Sequence, residues 1–321
     1  MIIIFSMSAK KDMTRDILIL KKIFKETIMN IVKEFDLAVK QAETNATEGA
    51  YLAGGREYDA YMTNAEWEAF RNEMSPSARA EYGAGGGDEL SEKNGRPPKM
   101  ASYGSSSRMI HRLSKHKKEF HYEKKLSTTV GGTANLDGFY ESDGRYVFVE
   151  AKCHEPYSAK KTAVSKSYRE LYEFINAQMP DALRIEMMPG KCGRYLNVEF
   201  FVGNEKTEHF DLKQMICHLL GIATGMLKGE LTPKQTDFIY LLYDPTDLPL
   251  SGAAKEEIEK IYAKTCDECN AVDFSSLLRV MFAFLKKQKY PDSLSDDEID
   301  TIVGRFTFIL ASQEFYPILL Q

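Results

Sequence analysis

Residues 134–157, ANLDGFYESDGRYVFVEAKCHEPY, hold the pattern from which the rest of the chain is read. Two runs of alternating character, 134–140 and 145–153, flank Asp143-Gly144, and an Asp-Gly pair between such runs is a strong short-range hairpin signal. With Asp143 and Gly144 as the loop, Ser142 pairs with Arg145, and counting outward sets Asp137 opposite Glu150. One face is then expected to carry Leu136, Tyr140, Val147, Val149 and Ala151, small and branched residues suited to packing under helices. The other carries Asn135, Asp137, Phe139, Phe148, Glu150 and Lys152.

Directly opposed carboxylates have β-carbons roughly 5 Å apart, and an effective dielectric near 20 implies about 3 kcal/mol of repulsion. A bound cation removes that penalty. Lys152 follows Glu150 by two positions, so strand alternation points its ammonium to the same side. The arrangement suits Mg²⁺, which takes one or two carboxylates, keeps several waters and completes its octahedron with phosphate oxygens. Lys152 would then orient or deprotonate a metal-bound water, or neutralise charge on a scissile phosphate. A bare Asp…Glu-x-Lys pattern is more often a solvated hairpin. Here the two acids coincide in register and share their face with Phe139 and Phe148, which favours a cleft floor.

Asp137 with Glu150-Ala151-Lys152 resembles the PD-(D/E)XK nuclease superfamily, and the run GGTANLDGF through VEAKCHEPY is similar to a restriction endonuclease-like group within it. The resemblance covers about residues 100–245, with Leu136 standing where the superfamily name has proline, a loosely kept position. It implies an α/β protein with a restriction-endonuclease-like mixed β-sheet core flanked by helices, cleaving DNA with Mg²⁺, or Mn²⁺ as a substitute. Asp137, Glu150 and the main-chain carbonyl of Ala151 would hold the metal and Lys152 would assist the attacking water. Such enzymes often supply a further acid just before the first core strand. Residues 126–130 are expected as that strand, and Glu123 precedes it, either as a second-metal or water ligand or in a surface ion pair with Lys124 or Lys125.

Basic residues crowd the segment before this centre. A helix is expected over 105–118, with Arg108, Arg112 and Lys115 along one side, Lys118 at its end, and Met109 and Leu113 turned inward. A charge run is usually a solvated face, but beside a phosphodiesterase centre it also suits contact with a DNA backbone. Lys160 and Lys161 begin a helix expected over 162–178 and form a second such patch. A helix over 211–227 carries Gln214 and His218 one turn apart on one face. The family comparison suggests that this helix faces the metal strands, with Gln214 as a phosphate or supporting contact. His154 is read as a surface histidine more readily than as a base.

Elsewhere, residues 14–41 read as one amphipathic helix whose stripe serves either the protein's own core or a dimer contact. Residues 64–73 read as a shorter helix. The Gly-, Ser- and Pro-rich stretch 82–107 reads as a linker without the Gly-Lys-Ser/Thr ending of a P-loop. Residues 195–202 and 238–243 read as strands, the latter buried on both faces. Helical patterns at 255–263, 274–287 and 296–315 read as a C-terminal cover. The expected organisation is a helical region and linker over 1–98, a nuclease core over 99–245 and the helical region over 246–321.

The chain of 321 residues has a formal net charge of −5, which argues against indiscriminate coating of nucleic acid but not against a local phosphate site. Its five cysteines are odd in number and scattered, as expected of reduced thiols. Cys266 and Cys269 have zinc-like spacing without a completing pair. The opening apolar run is short for a secretory signal and no stretch is long enough to span a bilayer, so a cytoplasmic protein is expected. The reading is a metal-dependent DNA endonuclease, with a homodimer left open. Its rivals are a non-cleaving nucleic-acid-binding protein of the same fold and a small-phosphoester hydrolase.

Overall fold

The computed structural model describes residues 26, 28–43, 48–85, 89–158, 163–190 and 193–316. Its N-terminal part comprises helix α1 (28–42), a small hairpin of β1 (Tyr51–Ala53) and β2 (Arg56–Tyr58), and helices α2 (Asn64–Glu73), α3 (Pro76–Ala84) and α4 (Ser106–Ser114). Thr63 and Glu66 close a capping box that starts α2 where expected, and Ser105 caps α4. The part of the expected first helix before residue 26 lies outside the described residues.

Three strands follow as a meander: β3 (His121–Ser127), β4 (Thr133–Ser142) and β5 (Arg145–Lys152). The hairpin forms as the sequence indicates, with Ser142 paired to Arg145 and with Asp143 and Gly144 at φ 50° and 76°, the left-handed values that a two-residue turn of this kind requires. The expected register holds over five pairs, ending at Gly138 with Val149. An excursion then adds β6 (Ala163–Ser165), α5 (Arg169–Gln178), β7 (Leu183–Pro189), β8 (Tyr195–Val202) and β9 (Glu205–Lys206), which make a separate four-stranded sheet. Helix α6 (Leu212–Leu227) and β10 (Gln235–Leu242) return to the main sheet, followed by α7 (Gly252–Asn270), α8 (Phe274–Gln288), α9 (Asp296–Gly304) and β11 (Phe306–Ser312).

The main sheet is mixed, in the order β11-β10-β5-β4-β3, with β10 parallel to β5 and β11 parallel to β10. Helices cover both faces. On one, Tyr140, Val147, Val149, Ala151, Ile239 and Leu241 join Phe35, Trp67, Met100 and Ile110 from the N-terminal part. On the other, Leu136, Phe139, Phe148, Phe238 and Tyr240 join Met215, Leu219 and Ile222 of α6 and Leu277 and Met281 of α8. This double cover explains why seven of the eight residues of β5, and seven of the eight of β10, are buried. The buried interior of α6 is apolar nearly all round, and a Cβ on Gly221 would lie 2.7 Å from the Ala134 Cβ, so glycine there lets the helix lie directly on β3 and β4.

Several expectations need correction. Leu136 packs with Phe139 and Phe148, not with Tyr140, because alternation breaks at Asp137. The β3–β4 ladder pairs Tyr122 with Gly138 and resumes at Lys124 with Leu136, skipping Glu123 and Asp137, and Glu123 takes φ 54°. The stretch read as a linker is packed instead: α3 runs into it, and Met100, Ala101, Ser102 and Tyr103 are buried against the sheet. The first core strand is 121–127 rather than 126–130, so Glu123 lies inside it. A short strand and a 3₁₀ turn replace the first turns of the helix expected from 162. The last expected helix stops at Gly304, and the following residues form β11, an edge strand of the main sheet; the C-terminal region therefore supplies part of the core as well as its cover.

Candidate active site

The β4–β5 ladder opens just beyond Gly138 and Val149, and the backbone N–H of Ala151, left there without a cross-strand carbonyl, donates to Asp137 Oδ2 at 2.8 Å. A side chain thus completes the bonding of the opened strand, and this ties Asp137 to the Glu150-Ala151-Lys152 segment. Lys152 Nζ donates to Glu150 Oε1 at 2.5 Å and to Gln214 Oε1 at 2.7 Å. His218 Nε2 lies 2.9 Å from Glu150 Oε2. Gln214 and His218 are one turn apart on α6, whose Asp211 side chain caps the helix by accepting from the Gln214 N–H. Glu150, Lys152 and His218 are almost fully enclosed, at 1%, 7% and 1% exposure. Solvent reaches the cluster at Asp137, Glu123 and Gln214, all half-buried.

The charges interact strongly. Burial and then the neighbouring Glu150 push the Asp137 carboxyl well above its ordinary range, with Lys152 and the Ala151 N–H opposing them. Burial also works against ionisation of Glu150, but Lys152 and His218 outweigh it and hold that carboxyl low. Burial alone would discharge Lys152, but Glu150 keeps its ammonium well above the usual range. Glu123 is pushed up to about 7 by burial, Glu89 and Glu150. Glu89 is itself buried and paired with Lys99 at 3.4 Å.

The donors of the cluster include carboxylate oxygens, the kind of ligand a hard divalent cation takes. Burial first, and then the neighbouring carboxylates, raise the Asp137 and Glu123 carboxyls, and a cation beside them would oppose both effects. Two polar atoms beside the cluster, His218 Nδ1 and Tyr240 Oη, are buried without a hydrogen-bond partner among the described residues; Tyr240 stands next to Glu150 in the β5–β10 register. Among the described residues, no three side chains of His, Cys, Asp or Glu converge as a metal-holding group, so two carboxylates would need a main-chain carbonyl such as that of Ala151 to complete a protein ligand set.

The expected basic residues are not drawn into this cluster. Arg108 is 5% exposed, its guanidinium forms a bidentate pair with Glu43 at 2.6 and 2.5 Å, and it lies 4.5 Å over the Tyr103 ring. Arg112 also pairs with Glu43. Burial and pairing therefore leave Arg108 little capacity for a phosphate. Lys115 and Lys118 are exposed, but α4, with Lys115 at its C-terminal cap, packs on the sheet face opposite α6. Lys160 and Lys161 lie outside the described residues. His154 is not a free surface histidine: its Nδ1 lies 2.9 Å from Asp36 Oδ1, and although burial opposes its charge, Asp36 raises it to about 9.

Sequence reasoning assigned no role to Glu89, His218 or Tyr240. Helical spacing already placed His218 beside Gln214. Glu89 was hidden in a stretch of loop-like composition, and Tyr240 needed the register of a parallel pair, which no local pattern supplies. Comparisons of the chain with protein-family models, curated proteins and solved structures return no match. Among the described residues, no helix is long and apolar enough to cross a membrane.

Proposed function

We propose that the chain is a metal-dependent DNA endonuclease of the PD-(D/E)XK kind, built on a restriction-endonuclease-like core, with Asp137, Glu150 and Lys152 as its centre. The observation that carries this reading is the meeting of those three residues where the β4–β5 ladder opens, beside Gln214 and His218 of α6. Glu150 holds Lys152 as an ammonium, so Lys152 acts by neutralising charge that develops on the phosphate and orienting the attacking water, not by removing a proton. Gln214 fixes the ammonium from its other side, and His218 fixes the second oxygen of Glu150. Asp137, Glu150 and the Ala151 carbonyl would hold Mg²⁺ or Mn²⁺, which supplies Lewis-acid polarisation of the phosphate when bound. Glu123 stands near enough to influence the centre electrostatically, and such a cation would favour loss of the proton from it and from Asp137, both of which are raised.

The near-complete burial of Glu150 and Lys152 favours a second reading, hydrolysis of a small phosphoester in an enclosed site. One experiment separates the two. Plasmid DNA and bis(p-nitrophenyl) phosphate are each incubated with Mg²⁺ or Mn²⁺ and either the natural chain or Lys152→Ala. Plasmid cleavage that falls at least a hundredfold in the variant supports the endonuclease. Ester hydrolysis alone, lost in the variant, supports the second reading. DNA retention without turnover of either substrate ends both and leaves a non-cleaving binding protein.

A further inference from the structure

We propose that the cavity between α2, α4 and β3 is a second binding site, for a nucleobase carrying a phosphate. Its volume is about 640 Å³, within the range of small-molecule sites, and its wall includes Glu66, Phe70, Glu73, His111, Lys115 and Tyr122. The half-buried Phe70 ring stands edge-on to His111 with centroids 5.4 Å apart, and the Tyr122 ring is 5.3 Å from His111 on another side. His111 is 6% exposed, yet its Nδ1 has no hydrogen-bond partner among the described residues. Arg108, on the same wall, is held through its terminal nitrogens by Glu43, and its buried Nε has no hydrogen-bond partner among the described residues. An unpaired buried polar group is costly, and two such atoms behind one wall, both closed to solvent, point to side chains that turn to meet a ligand.

Burial and the nearby Lys115 lower His111 to about 4, leaving a neutral imidazole that offers one donor and one acceptor. Glu73 adds an acceptor, Glu66 being engaged by the Thr63 N–H and the Tyr103 hydroxyl, and the exposed Lys115 has no carboxylate partner among the described residues. An apolar ligand would leave His111 unsatisfied. A compact anion would meet two carboxylates and make no use of the rings. A base has both a π-face for the aromatic walls and an edge of donors and acceptors, and its phosphate would meet Lys115 at the rim. The chemistry is the same for a free mononucleotide and for a base turned out of a DNA strand.

Trp67, the single tryptophan, is stacked on Phe70 with centroids 6.0 Å apart and reports on the cavity. The full chain in metal-free buffer is titrated with dAMP, dCMP, dGMP and dTMP and with a short duplex containing one mismatched pair, following Trp67 emission. A saturable change is expected, weakened about tenfold or more in Lys115→Glu and in His111→Phe, as loss of a charged or buried hydrogen bond requires. A response to mononucleotides identifies a free ligand, and a response to the duplex alone identifies a base drawn from DNA. Because Lys115 is exposed, its variant should keep the natural melting temperature even if His111→Phe does not. Absence of any saturable change, or one equally strong in a folded Lys115→Glu variant, overturns the site. Neither result bears on cleavage, which requires metal and Lys152.

Discussion

At the scale of single residues, the candidate centre is a set of ionisable groups that depend on one another. Glu150 lies between Lys152 and His218, so removing it leaves a buried ammonium without its counter-charge. Glu150→Ala should cost roughly 3–5 kcal/mol in urea denaturation, and adding Lys152→Met should recover much of that loss. Simple additivity of the two changes would show that the pair is not coupled. Glu123 has a folded-state value raised from 4.5 to about 7, so its contribution to stability is fully present below about 4.5 and is lost as pH rises through about 7. Glu123→Gln should therefore raise the melting temperature at pH 8, by roughly 1–2 kcal/mol of stability after allowing for solvent screening, and change little near pH 4. Mg²⁺ should stabilise the natural chain more at pH 8 than at pH 5.5, since protons compete with the cation for the raised Asp137 and Glu123 carboxyls. Equal melting shifts at both pH values would count against a carboxylate metal site.

At the scale of elements, the decisive contact is α6 lying on β3 and β4. Its closeness depends on Gly221, where a Cβ would meet the Ala134 Cβ at 2.7 Å and the Leu126 Cβ at 3.1 Å. Gly221→Ala should cost more than about 2 kcal/mol by forcing the helix outward and drawing Gln214 and His218 away from Glu150 and Lys152. Gly225→Ala, on the same helix, meets only the Leu231 side chain, at 3.0 Å and beyond, and should cost less. Chemical denaturation of the two variants tests the ranking, and a larger loss at Gly225 would show that α6 does not owe its seat to Gly221. Capping boxes and the Asp-Gly turn made α2 and the β4–β5 hairpin legible from local residues. The break of alternation at Asp137 was not, because it arises from a missing rung between two strands.

At the scale of the whole molecule, the sheet is buried by segments far apart in the chain. Phe35, Trp67 and Met100 cover one face beside Val147 and Val149, Leu277 and Met281 cover the other, and β11 extends the sheet beyond β10. A fragment of residues 99–245, which holds all of the proposed catalytic residues, should fail to give the far-ultraviolet spectrum and cooperative melting of a folded domain. It lacks part of the cover on each face, including Phe35 and Trp67 on one and Leu277 and Met281 on the other, and it lacks β11, one of the two neighbours of β10. A soluble fragment that melts cooperatively would show the central region to be self-sufficient.

The residues alone determined the tight turn, five pairs of strand register, several helices with their caps, and the two-residue spacing that sets Glu150 and Lys152 on one side, because these follow from spacings of two, three or four positions and from the conformational limits of single residues. Tertiary structure decided which charges are free and which are occupied. Arg108 has the appearance of a phosphate contact until Glu43, 65 positions earlier, is seen beside it, and Lys152 looks like a free amine until Glu150 and Gln214 hold it. The physical reason is that a charge acts through whatever lies within a few ångströms of it, and folding brings those neighbours from parts of the chain that local patterns do not connect.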